Sequence, residues 1–241
     1  MTGARRRALI VVGILTVGVA GLGLALTTRP RPHSTAAPSE KVPLQLLTSL
    51  PIVFGEDFDV KKAGSPALTA LSKSFTVSPV STTSSKELRN SLLLMAQPPA
   101  QTPENLVALD AWVRRGGRVL LLADPLLEWP SKRPLGDPLR PPAMFTDTGL
   151  LAHWGLRLDA PDTRGGAERR LAGYTIIALS PGALYGRCII SSDRLVAECR
   201  IGKGWAAVVA DADFLNVQDL GPDAKDNFEA VTSELASLKN R

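Results

Sequence analysis

Two uninterrupted apolar runs, Leu92 to Ala96 and Val119 to Ala123, flank a stretch with helical spacing. Apolar runs this short and without alternation mark strands covered on both faces of a parallel sheet. Between them Thr102 offers an N-cap hydroxyl and Pro103 occupies the first helical position, where its missing N–H costs nothing. Leu106, Leu109 and Val113 then recur at i, i+3 and i+7, with Asp110 and Arg114 on the outer side. Gly116 and Gly117 stop the helix, the first as a left-handed C-cap residue. Strand, crossing helix and strand in this order join neighbouring parallel strands, so the unit predicts an α/β layered sheet with helices on both faces.

The same reading extends along the chain. Leu44, Leu46 and Leu47 begin a strand that turns at Thr48-Ser49, followed by a polar loop with Glu56, Asp57 and Asp59. Residues 66–72 predict a short helix. Residues 75–80 predict a strand near a sheet edge, because Pro79 cannot donate to a ladder. Residues 125–142 form a long connection with six prolines; such connections serve as lids or docking surfaces, or are ordered surface loops pinned by their prolines. A short helix is expected over 147–154, a strand through Leu156 and Leu158, and a polar loop over 159–170. Four strand-like runs follow (174–179, 185–190, 195–201 and 205–210), with connections short enough for antiparallel hairpins added to the parallel core. With Asp193-Arg194 as the turn, Ser192 faces Leu195 and Cys188 lies opposite Cys199, where a disulfide can form in an exported domain; two separate buried thiols are the alternative. Phe228, Val231, Leu235 and Leu238 predict a final amphipathic helix over the sheet.

The N-terminus changes the picture. Residues 8–28 contain no charge and are long enough to span a bilayer as a helix. Arg5, Arg6 and Arg7 precede this run, and Arg29 and Arg31 follow it, which favours a cytoplasmic N-terminal tip (1–7) and an exported body. The length favours an uncleaved anchor over a signal peptide, although Thr35-Ala36-Ala37 leaves a possible cleavage site. Residues 29–43, rich in proline, serine, threonine and alanine, read as a semi-extended linker to a domain over 44–241. The expected place is the cytoplasmic membrane, single-pass, with the main domain periplasmic or extracellular. These five arginines carry the whole of the +5 net charge, since 1–31 holds no acid and the remainder has 23 bases against 23 acids. A neutral body speaks against a nucleic-acid partner. Two cysteines and two histidines exclude the usual Cys/His zinc sites.

Ligands and reacting groups gather at the carboxyl ends of parallel strands. Here those ends are Thr48-Ser49, Gln97-Pro98, Asp124-Pro125 and Asp211-Ala212-Asp213. None offers a Ser or Cys nucleophile on a tight turn with free backbone N–H groups, and Gln97 and Asp124 are each followed by proline. No catalytic residue, cofactor or metal is therefore assigned. Asp124, Asp211 and Asp213, with Glu128 nearby, carry the oxygens a hard cation would use, but no calcium-type spacing is present, and turn and cap chemistry places aspartates at strand ends equally well. Should the tips hold a small polar or sugar-like ligand, Thr48, Gln97, Asp124 and Asp213 are the candidate contacts. His33 falls in the linker and His153 has no nucleophile beside it in sequence.

The pattern LLLMAQP, TPENLVALDAWVRRGG and RVLLLADP, with GKGWAAVVADADFL later, resembles the exported domain of the ABC-type uncharacterised transport family. That family includes the gliding-motility-associated ABC auxiliary proteins, and its fold is similar to class I glutamine amidotransferases, a flavodoxin-like, mostly parallel sheet. The match is concentrated in 92–125 and 202–215. The resemblance implies that Gln97 occupies the amidotransferase oxyanion loop, and that Asp124 stands where the nucleophilic cysteine would be needed. It implies a non-catalytic auxiliary or interaction subunit, held by its membrane helix beside a transporter's permease and ATPase. The chain has no Walker motif, so ATP hydrolysis would belong to another subunit. A ligand-sensing domain and a degenerate amidotransferase-like hydrolase are the alternatives.

Overall fold

A computed structural model describes residues 41–55 and 64–241. The expected membrane span, most of the linker, and Glu56, Asp57 and Asp59 lie outside the described residues. Among the described residues no helix is long and apolar enough to cross a membrane.

The body is a mixed α/β domain. Strands β1 (Val42–Thr48), β2 (Phe75–Pro79), β3 (Leu92–Ala96) and β4 (Arg118–Leu122) are followed at a distance by β9 (Ile189–Ile190), β10 (Val196–Ile201) and β11 (Gly204–Val209). These seven form one sheet in the order β2-β1-β3-β4-β11-β10-β9. The pairings from β2 across to β11 are parallel, while β11–β10 and β10–β9 are antiparallel. β2 stands at the sheet edge, where the ladder makes no demand on the missing N–H of Pro79.

Helix α2 (Pro103–Arg114) joins β3 to β4. Thr102 Oγ1 accepts from the Asn105 N–H, and Gly116, at φ 116°, turns the chain back into β4. Alternation along the strands divides the core. Leu47, Leu93, Met95, Val119, Leu121 and Val208 pack with Leu109, Trp112 and Val113 of α2 on one face. On the other, Leu44, Leu46, Leu92, Leu94, Leu120 and Val209 meet α1 (Pro66–Ser74) and α5 (Asn227–Lys239), which follows the one-turn α4 (Val217–Leu220). Both faces are covered, and β3, LLLMA, carries no polar side chain.

The region between β4 and β10 departs most from the sequence expectation. The helix expected over 147–154 is confined to α3 (Leu150–His153), because Gly149 adopts φ 99° and Asp147 Oδ1 is spent on the Gly149 and Leu151 amides. The expected strand through Leu156 and Leu158 is β5 (Leu156–Asp159), paired with β8 (Ala183–Gly186) outside the main sheet. The stretch read as a polar loop over 159–170 contains β6 (Gly166–Leu171), which pairs with β7 (Tyr174–Leu179). Its turn, Ala172-Gly173, has both φ angles positive (49° and 86°), the geometry of a two-residue hairpin turn. The run 185–190 is interrupted after Gly186, so β8 and β9 belong to different sheets. In the β9–β10 hairpin Ile190 faces Ala197 and Ile189 faces Glu198. Cys188 and Cys199, one step further along, are disulfide-bonded, with Cα atoms 4.8 Å apart.

Candidate functional site

The carboxyl ends of β3, β4 and β11 converge, and the polar residues there are turned inward. Gln97, just past β3, is fully buried and holds a left-handed backbone at φ 42°. Its Oε1 accepts from the Asp124 N–H at 3.0 Å, and its Nε2 donates to the carbonyls of Asp124 (3.3 Å) and Pro142 (3.1 Å). One side-chain amide thereby bonds both the backbone N–H and the backbone carbonyl of Asp124, just past the neighbouring strand.

Asp124 is also fully buried. Its Oδ1 accepts from the Leu126 N–H at 2.8 Å, and its Oδ2 accepts from those of Ala212 (2.9 Å) and Asp213 (3.3 Å). Burial pushes its carboxyl up to about 6; the three backbone donors work against the rise and the charge of Glu128 adds to it. Asp211 accepts from the Phe214 and Leu179 amides, and burial, followed by the charge of Asp124, holds it well above the usual carboxylate range. Asp213 accepts from the Glu128 N–H at 2.6 Å through Oδ2, while its buried Oδ1 has no partner. Burial pushes Asp213 up to about 7; the Glu128 amide lowers it, and the charges of Asp124 and Glu128 raise it. The carboxylates thus serve as acceptors for the backbone of the β4 and β11 ends. Among the described residues no group of three or more His, Cys, Asp or Glu side chains is placed to hold a metal ion.

Of the four residues named as ligand contacts, Gln97, Asp124 and Asp213 meet in one cluster and Thr48 does not. The Thr48 hydroxyl donates to the Ala96 carbonyl at 2.7 Å and accepts from the Leu50 N–H at 2.9 Å, closing the end of β1. The position implied for a nucleophile is occupied by an enclosed carboxylate, and the left-handed backbone belongs to Gln97 instead. His153 lies near the surface, its Nε2 3.3 Å from Asp110 Oδ1.

Thr48 does border a groove of about 330 Å³, lined also by Ser49, Phe54, Pro79, Arg133 and Arg140. It lies beyond the β1 end, where β1 stands between β2 and β3 and the strand order reverses, the usual ligand position of open parallel sheets. Its outer wall is the 125–142 connection. That segment is closed at its base by the Leu127 N–H donating to the Ala143 carbonyl and braced by Arg133 on Asp137 and by Arg140 on the Arg133 carbonyl.

Two residues absent from the sequence reading complete the cluster. Ser180, buried at φ 49°, donates from Oγ to Glu128 Oε1 at 2.6 Å and accepts from the Gly165 N–H at 2.9 Å. Asn227 accepts from the Ile177 N–H and donates to the Ile177 and Phe214 carbonyls, repeating at α5 what Gln97 does at β3. The Ser-Pro-Gly run at 180–182 was the only local signal, and it announces a turn rather than a contact.

No protein-family model and no curated protein matches the chain. Among solved structures it is similar to the cytoplasmic protein STM1381 from Salmonella typhimurium LT2 (12% identity, TM-score 0.52, covering 82% of this chain and 99% of that one). It is likewise similar to the mmIFT52 N-terminal domain (14% identity, TM-score 0.51, 82% and 98% covered). These likenesses show a shared fold. The exo-β-1,4-mannosidase Op5Man5 from Opitutaceae bacterium strain TAV5 also matches, at 14% identity and TM-score 0.47; the match covers 82% of this chain but 36% of the mannosidase.

Proposed function

We propose that the chain is a non-catalytic interaction subunit, anchored through residues 8–28 and working beside an ABC-type transporter. The observation that supports a non-catalytic reading is the use of the strand-end side chains. Gln97 and Asp124 direct their polar atoms to the protein's own backbone. The strand order β2-β1-β3-β4-β11 agrees with a flavodoxin-type sheet, the finer class expected of an amidotransferase-like domain. The partner reading rests on the motifs around 92–125 and 202–215. The 125–142 connection and its flank give it a surface, since Leu135 and Leu139 are 86% and 55% exposed and Met144 is exposed beside them.

Mild-detergent purification of the full-length protein from its native membranes tests this. Co-recovery of an ABC permease is the expected result, reduced when residues 1–29 are removed. Recovery of no transporter component from either form would refute the partner reading. A second reading, a small-ligand domain, is favoured by the groove beside Thr48 at the point where strand order reverses. Saturable thermal stabilisation lost on obstructing that groove by Ser49→Trp is its test.

A further inference from the structure

Helix α5 carries a carboxyl that the fold does not use. It buries Ala230, Val231, Leu235 and Leu238 against the sheet, and Glu234 lies among them at 4% exposure. The Glu234 Oε1 is enclosed and has no hydrogen-bond partner. Folded proteins leave few buried polar atoms unsatisfied, and one that persists points to something that completes it.

Glu234 lines a groove of about 510 Å³ between α5, the β9–β10 hairpin and the β6–β7 turn. The volume suits a small-molecule site. β9 and β2 stand at opposite edges of the sheet, so this groove is separate from the one beside Thr48. Its apolar surface comes from Leu171, Ile190 and Val196, and Ser233 and Ser237 contribute to the α5 wall. Charges of both signs line it. Glu198 and Arg241 satisfy each other through two bonds of 2.6 and 2.7 Å, and the Arg241 guanidinium rests 4.8 Å over the Trp205 ring. Glu234 and the exposed Arg170 remain as one acid and one base. Burial, and then the charge of Glu198, hold the Glu234 carboxyl above its ordinary value, with Arg241 opposing; an ammonium against it would favour the ionised form.

We propose that this groove binds a small zwitterion of the amino-acid type, its ammonium donating to Glu234 and its carboxylate meeting Arg170. The serines of α5 and the apolar surface beside them receive the ligand's side chain.

Calorimetric titration of the full-length protein in mild detergent tests this, with the proteinogenic amino acids presented singly at millimolar concentration. Expected is saturable binding of at least one, weakened about tenfold or more by Glu234→Gln and by Arg170→Gln. Trimethylglycine, which carries both charges but no N–H donor, should not bind. Glu234→Gln should also melt about 2–4 °C higher than wild type, since it removes a buried unpaired charge. Absence of saturable binding by any amino acid would overturn the proposal. So would undiminished binding by both variants, equal binding of trimethylglycine, or a lower melting temperature for Glu234→Gln, which would give Glu234 a structural role.

Discussion

Replacing Gln97 by alanine separates a structural clasp from a binding residue. The substitution removes the acceptor of the Asp124 N–H and the donors to the Asp124 and Pro142 carbonyls. The Asp124 carbonyl keeps the Phe145 N–H at 2.6 Å, and Pro142 is partly exposed, so both retain alternatives. The Asp124 N–H, enclosed in a fully buried residue, has none, and an unsatisfied buried donor costs about 1–3 kcal/mol. With the other two bonds, at about 0.5–1.5 kcal/mol each, the expected destabilisation is about 2–6 kcal/mol. Urea unfolding should show this as a lower midpoint with an unchanged slope. Gln97→Gly provides the internal control. A left-handed backbone costs a side-chain-bearing residue about 1–2 kcal/mol, so at φ 42° the glycine variant should be no less stable than the alanine one, the reverse of the usual order. A Gln97→Ala protein within about 0.5 kcal/mol of wild type, or a glycine variant clearly below the alanine one, would refute the reasoning.

Three further outcomes follow from the same geometry. Asp124 and Asp213 have folded-state values raised to about 6 and about 7, so the folded protein holds protons that the unfolded chain releases near 4. Their contribution is full below the unfolded value and is lost as pH rises to 6 and 7; unfolding midpoints should be lower at pH 8 than at pH 5, and Asp213→Asn should flatten the curve between about pH 4 and pH 7. Replacing Cys188 and Cys199 together by serine opens a loop of sequence separation 11 and should cost about 2–3 kcal/mol, read by thermal melting under non-reducing conditions. Gly204→Ala should be more damaging, about 3 kcal/mol or more, because a Cβ there meets the carbonyls of Val113 and Gly117 at the end of α2; soluble yield and melting temperature report it.

The central unit was legible because its signals agree. Apolar runs of strand length, a Thr-Pro helix start and a Gly-Gly stop all fall between Ser91 and Pro125, and β3, α2 and β4 follow them. Strand β6 was not, because Gly166, Glu168, Arg169 and Arg170 face mostly solvent and the strand pairs only with β7, so no apolar alternation announces it. The α3 helix was overread because Asp147 and Gly149 signal a helix start without fixing which residue begins it. The candidate site was half legible. Its aspartates are visible at strand ends, but whether a carboxylate faces a ligand or its own backbone depends on contacts such as Asp124 to Ala212, 88 positions apart. Buried amides are hidden for the same reason: Gln45, Gln97 and Asn227 each hold a distant backbone segment and look like surface residues in a linear chain.

The most direct test of the partner reading is photo-crosslinking from Leu135, exposed on the 125–142 connection, in full-length protein in native membranes. With Leu135 replaced by p-benzoylphenylalanine, the expected result is a discrete light-dependent adduct containing an ABC permease subunit, absent from a control carrying the probe at exposed Glu168. No adduct from Leu135, or the same adducts from both positions, would contradict it.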